Sequence, residues 1–379
     1  MHQTSYSLES KNSLLQLVRL GIGTSKDANI PKDIDWKSVE ALAKKHGLLA
    51  VVFDGFKCLA ESAETAEKLP LTTKLTWIGE VVQNYEQVYA HYTKAIADLA
   101  AFYNAHGFRM MVLKGYACAL NWPKPEHRPC GDIDICLFGQ YKEADTALSR
   151  ELGIKIDHSH QHHTVFEWQG FTVENHYDFV NVVAHKSSRE LEKIFKTIAE
   201  TAESAEIKNT NSTNYTNIYF PSANLHALFL IRHMVSHFAA VGISLRQVLD
   251  WAFFVEEQGK DVDWEWLEKT LEDYHMKEFF DCINAICVED LGFANTNFTN
   301  YTNGSLRSKS FENLKERILN DTLSPEFDGV QPKGLIRRVP FKYRRWKANA
   351  WKRELCYAES ERSSFWGGVW NHLLKPAGI

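Results

Sequence analysis

The stretch LKGYACALNWPKPEHRPCGDIDICLF, Leu113 to Phe138, places two aspartates, Asp132 and Asp134, one residue apart inside an otherwise apolar run. On a strand, residues i and i+2 share a face, so both carboxylates project together while Ile133 and Ile135 face the other way. A rise of about 3.3 Å per residue sets their Cα atoms about 6.6 Å apart. Unpaired like charges at that spacing push one acid toward protonation. A divalent cation removes the conflict: Mg²⁺ (or Mn²⁺) takes carboxylate oxygens and keeps water and phosphate oxygens as further ligands. Two such ions about 4 Å apart suit an in-line phosphoryl transfer. The plainer reading is a strand cap or acids paired with local arginines.

The surrounding pattern alternates. FRMMVLKG reads as a buried strand closed by glycine, YACALNW as two helical turns stopped by Pro123 and Pro125, and DIDICLF as a second strand. YKEADTALSRELG reads as a helix ended by Gly153. IKIDHS, HTVFEWQ and FTVENHYDF read as three more strands, the last two a hairpin turning at Gln169-Gly170. On both sides the periodicity is helical. DIDWKSVEALAKKHG opens at Asp33 or Asp35 and stops at Gly47, and YEQVYAHYTKAIADLAAFYNAHG stops at Gly107. PSANLHALFLIRHMVSHFAA and ISLRQVLDWAFFVEEQG are further helices. The phrase N-T-N-x-T-N-Y-T-N, at 209–217 and 295–303, reads as exposed loop in both copies. The expected fold class is α+β: a small mixed β-sheet core over 107–200, an N-terminal helical region over 1–106, and a C-terminal helical domain with a basic tail segment over 201–379.

Composition narrows the setting. A formal net charge of −5 argues against a protein that coats nucleic acid. Residues 1–13 lack an apolar signal core, and the most apolar stretch, 225–241, is broken by Arg232 and three histidines. Seven scattered cysteines without C-x-x-C spacing fit reduced thiols. These features predict a cytoplasmic protein without a membrane span.

A third carboxylate, Glu174, follows in FTVENHYDF, and His176 shares its face. Lys114 is a compact charge at the first turn and Arg128 a planar fork before the D-x-D strand; either suits a triphosphate. On these residues, VLKG, NWPKPEHRPCGDIDICLF and FTVENH, the chain resembles a bacterial group of uncharacterised nucleotidyltransferases within the polymerase-beta-like superfamily. In that group an L-K-G turn, a Y-P-x-P-x-x-R-x-x-G-D-I-D block and a V-E-x-H strand recur. DWKSVEALAKKHGL and HMVSHFAAVGISLRQVLDWAFF fit it too, so the likeness runs to about Val255. It implies that Asp132, Asp134 and Glu174 are the catalytic metal ligands and that Gly115 turns under the triphosphate; Lys114 and Arg128 join the nucleotide site on their charge, and His176 on the face it shares with Glu174. The superfamily usually has glycine or serine directly after the turn glycine, where this chain has Tyr116. The implied reaction is Mg²⁺-dependent transfer of an NMP group from an NTP such as ATP to an acceptor hydroxyl, with release of pyrophosphate. A protein, a tRNA or a small molecule would be the acceptor. A nucleotide sensor on the same fold and an RNA-binding protein are the alternatives.

Other clusters carry less. His158, His160, His162 and His163 could bind a transition metal, but no cysteine or acid completes an obvious geometry in sequence. His226, His233 and His237 share a helical face and read as core-facing or interdomain rings. Arg246 and Asp250 read as an i, i+4 bridge. The acid-free segment Lys333 to Arg353 interleaves Phe341, Tyr343, Trp346 and Trp351 with lysines and arginines. It suits RNA or an anionic membrane surface, or else is a solvated basic face on a packed helix.

Overall fold

The strands β1 (Met110–Val112), β2 (Ile133–Cys136), β3 (His163–Trp168), β4 (Phe171–His176), β5 (Ala205–Ile207) and β6 (Ile218–Pro221) form one mixed sheet in the order β3-β4-β2-β1-β6-β5. The computed structural model describes residues 6–61, 71–182, 185–200, 205–207, 218–294, 308–325, 327, 332 and 334–358. Both copies of the Asn/Thr phrase lie outside these residues, as does Lys333.

Helices α1 (Leu8–Gly21), α2 (Trp36–His46), α3 (Leu49–Glu61), α4 (Leu71–Val81) and α5 (Gln87–Ala105) precede the sheet, the last two joined by a π-helical turn at Val82–Glu86. The short α6 (Tyr116–Ala119) and α7 (Tyr141–Leu152) lie between strands, and α8 (Lys186–Glu200) follows β4. Then come α9 (Ala223–Ala240), α10 (Leu245–Gln258), α11 (Trp264–Asp273), α12 (Lys277–Ala285), α13 (Lys309–Leu323), α14 (Leu335–Ala348) and α15 (Ala350–Cys356). The α+β class expected from the sequence is the one observed.

Local signals act where they were read. Asp35 caps α2 by accepting the N–H groups of Lys37 and Ser38, and Gly47 ends it in the left-handed region at φ 68°. Gln169 and Gly170 both take positive φ, as a tight two-residue hairpin requires. Two readings differ. IKIDHS is not a strand; Asp157 alone bridges to Val165. β5 and β6 were not anticipated, because four residues ending in a proline are too few to display an alternation.

Alternation along β2 divides the sheet's surroundings. Ile133 and Ile135 join Tyr92, Ile96 and Leu99 of α5 and Leu148 of α7 in one core. On the opposite face Met111, Leu113 and Cys136 belong to a larger core shared by the N-terminal and C-terminal helices. Asp134 points to that second face, between β2 and the helices α9 and α10. Among the described residues, no helix is long and apolar enough to cross a membrane.

Candidate active site

Register brings the acids together. β2 runs parallel to β4 with Asp134 opposite Glu174 and Cys136 opposite His176, so Asp134, Glu174 and His176 share one face. Asp132 lies exposed just ahead of β2, while Asp134 is only 3% exposed. Lys114 Nζ stands 2.9 Å from Asp134 Oδ1 and 4.0 Å from Glu174 Oε2. His176 Nε2 lies 3.1 Å from Asp134 Oδ1 and 3.4 Å from Glu174 Oε2. These are the bottom of a cleft of about 600 Å³ roofed by α9 and α10.

The charges are strongly coupled. Burial opposes ionisation of Asp134, yet Lys114 and His176 outweigh it and hold the carboxyl below its ordinary range. Glu174 is lowered in the same way, burial being outweighed by His176 and Lys114. Lys114 and His176 are raised in return, since the carboxylates prevail over burial. Asp132 shows the opposite shift: burial, then Glu174 and Asp134, push it upward. Its charge is therefore in excess. Asp134 and Glu174, with Asp132 lining the same cleft, are hard oxygen donors of the kind that Mg²⁺ or Mn²⁺ takes, so the residues present would fit such a cation.

Gly115 occupies the turn expected of it. Its φ is 59°, and a Cβ there would lie 2.8 Å from Tyr92 Oη and 3.4 Å from the Asp132 carbonyl oxygen. Tyr92 donates its hydroxyl to that same carbonyl at 2.8 Å, so turn and D-x-D backbone are locked together. Gly115→Ala is expected to cost at least about 1 kcal/mol from backbone conformation alone. Adding Tyr92→Phe relieves the contact but not the backbone term, which paired denaturant titrations would separate. Tyr116 turns away from the cleft into the outer core, against Tyr89, Tyr92 and Phe220.

Arg128 lines the cleft, but its fork is engaged. Nε and Nη2 donate to the two Asp250 oxygens at 2.7 and 2.9 Å, and Nη1 donates to the Pro129 carbonyl at 3.3 Å. Trp122 Nε1 also donates to Asp250, at 2.9 Å. On the other flank His127 Nδ1 meets Asp54 at 2.6 Å, with Lys57 and Lys124 closing on the same carboxylate. The proline-rich block is thus a clamp that ties the D-x-D strand to both helical regions. The expected Arg246–Asp250 bridge does not form, because Arg128 takes the acid. Arg246 lines the cleft with its Nε buried and without a hydrogen-bond partner among the described residues. Burial and the neighbouring Arg128 lower its pKa.

The histidines separate by position. His226 is buried beside Cys118 Sγ, 3.9 Å away, whereas His233 and His237 open on the cleft. His162 and His163 reach His176, a convergence the sequence reading missed.

A family model described as uncharacterised nucleotidyltransferase matches residues 32–292, which take in the whole sheet and both roof helices. The chain belongs to that family. No curated protein and no solved structure matches it. As a nucleotidyltransferase it is an enzyme that transfers nucleotidyl groups. One wall of the nucleotidyltransferase cleft, Phe179 and Val180, is held by Glu192 of α8, which accepts both backbone N–H groups at 3.1 and 3.0 Å. Burial nonetheless pushes Glu192 up to about 7. An unfolded glutamate titrates near about 4.3, so between the two values the native state binds more protons and stability falls as pH rises. Glu192→Gln is expected to flatten this part of the stability profile, measured by denaturant unfolding between about pH 5 and pH 7.

Proposed function

We propose that this nucleotidyltransferase moves an NMP group from an Mg²⁺-bound NTP to an acceptor hydroxyl and releases pyrophosphate. The observation that carries the reading is the pairing of Asp134 with Glu174 across β2 and β4, beside an acid with excess charge. Asp132, Asp134 and Glu174 hold the metal, which supplies neutralisation of phosphate charge. Glu174, kept ionised by His176 and Lys114, is the acid that accepts the hydroxyl proton or completes the metal's ligands. Lys114 holds the acids in place and stands beside the Gly115 turn, ready to meet phosphate oxygens. Transfer of this kind depends on positioning and charge rather than covalent catalysis, and these groups suffice for it.

Arg246 is added to the nucleotide-binding set, because Arg128 is held by Asp250 and Arg246 is not. Arg246→Ala is expected to weaken Mg·NTP binding by about tenfold or more, the scale of a hydrogen bond to a charged group. Calorimetry with each NTP checks this; unchanged affinity would place the triphosphate elsewhere. NTPs labelled at the α- or the γ-phosphate, incubated with cell extract, test the reaction. Product labelled only from the α-position supports transfer, whereas saturable binding without product favours a sensor.

RNA is the acceptor class for which the basic segment offers a surface. Arg337, Arg338, Arg344 and Lys347 are exposed and Tyr343 is 53% exposed. Trp346 and Trp351 are instead covered by Arg353 and Arg317 at 4.2 and 3.9 Å. RNA affinity should fall with salt at a log–log slope of roughly −0.7 per phosphate neutralised, and the slope should shrink when the exposed arginines become alanine.

A further inference from the structure

We propose that His162, His163 and His176 form a second metal site, for a borderline dication of the Zn²⁺ and Co²⁺ class. The site adjoins the proposed nucleotide site through His176 and Asp134 and differs from it in its donors, nitrogens here and oxygens for the nucleotide metal. One ring nitrogen from each histidine lies within 4.8 Å of the others. Their ring centres are 4.3, 5.1 and 5.6 Å apart. A tetrahedral ion with Zn–N bonds of about 2.1 Å sets the centres of its imidazoles about 5 Å apart, since each centre lies about 1 Å beyond its nitrogen. The observed triangle brackets that value.

A second observation points to a ligand. The Nδ1 atoms of all three rings are buried without a hydrogen-bond partner among the described residues. His163 and His176 are 7% and 4% exposed. Leaving three such atoms unsatisfied is costly, and a cation that took them as donors would satisfy them together. His176 is already oriented for this: its Nε2 faces Asp134 at 3.1 Å, which leaves Nδ1 as the coordinating atom. A carboxylate behind a ligating imidazole is the arrangement that fixes tautomer and ring angle in metal sites.

The backbone holds the donors in place. His163 pairs with His176 across β3 and β4, and the His162 carbonyl accepts the N–H groups of Tyr177 and Asp178 at 3.1 Å each. All-nitrogen donors favour Zn²⁺ or Co²⁺ over Mg²⁺. Three protein ligands leave the fourth position of a tetrahedral ion open, and all three histidines line the cleft.

The test uses tag-free, metal-stripped full-length protein titrated with Co²⁺ and Zn²⁺. One tight equivalent with the intense visible absorption of tetrahedral Co²⁺ is expected, together with a nitrogen-dominated shell by X-ray absorption. His162→Gln combined with His163→Gln should weaken it about 100-fold or more, in a chain whose circular dichroism shows it folded. Asp132→Asn combined with Glu174→Gln should leave it within a few-fold. Absence of tight binding by the intact protein overturns the proposal and makes the rings packing residues only. An oxygen-dominated shell, or loss of the ion in the carboxylate variant alone, overturns it by assigning the ion to the nucleotide site. The X-ray absorption of the intact protein decides the matter should the histidine variant fail to fold.

Discussion

Asp134→Asn is expected to reduce nucleotidyl transfer by about 10³-fold or more in a protein that still folds. The carboxylate is 3% exposed and carries both Lys114 and His176, so removing its charge withdraws the proposed metal ligand and the anchor of two cations together. The fold survives because the change is nearly isosteric and His176 can shed its proton. Lys114 keeps Glu174 at 4.0 Å. Calorimetry should show loss of Mg²⁺-dependent NTP binding, and circular dichroism an intact fold. Glu174→Gln should differ, losing turnover with NTP affinity within a few-fold, the mark of an interaction made chiefly in the transition state. Asp132→Asn should raise the stability of the metal-free protein, since it removes the carboxyl that Glu174 and Asp134 push upward. Unchanged Mg·NTP affinity in Asp134→Asn would dismiss the carboxylate cluster as the metal site.

Asp250→Ala is expected to destabilise the protein by about 3–5 kcal/mol, more than any surface pair could. It strands the Arg128 guanidinium, 7% exposed, beside Arg246, and removes the acceptor of Trp122 Nε1. Replacing both partners by apolar residues, Arg128→Met with Asp250→Leu, should recover much of the loss, because no uncompensated charge then remains buried. Urea midpoints of the single and double variants measure the coupling. A loss below about 1 kcal/mol in Asp250→Ala would mean that the pair is solvated and the clamp is not held there.

What could be read from the sequence were the terms set by short-range geometry. Asp134 had to face away from Ile133 and Ile135 on β2, and Glu174 and His176 had to share a face of β4, because a strand repeats every two residues; Asp132 falls just ahead of β2, where that rule does not reach. Gly115 followed from its place at the end of an apolar strand, and the Asp35 cap and Gly47 stop from their residue types. One missed relation was available. Counting outward from the turn at Gln169-Gly170 pairs Trp168 with Phe171 and, step by step, His163 with His176, which places two members of the histidine triangle together. Asp250 could not be assigned by any local rule, since its partner lies 122 residues away and the helical spacing pointed to Arg246. Nor could the pairing of β6 beside β1, which only the folded chain reveals.

Because Asp134 meets Glu174 across a backbone ladder, different kinds of genetic change fall unequally on this enzyme. A substitution in the Gln169-Gly170 turn alters a loop at the sheet's edge and leaves the ladder in register. Inserting one residue into β4 ahead of Glu174 inverts everything after it. Glu174 and His176 would then turn toward α5 and α7, where Val173 now packs and Asn175 donates to Asp145 at 3.0 Å. Two inserted residues restore the facing but carry the acid about 6.6 Å along the strand, out of reach of Asp134. Away from Glu174 and His176, β4 can therefore drift in spelling but not in length.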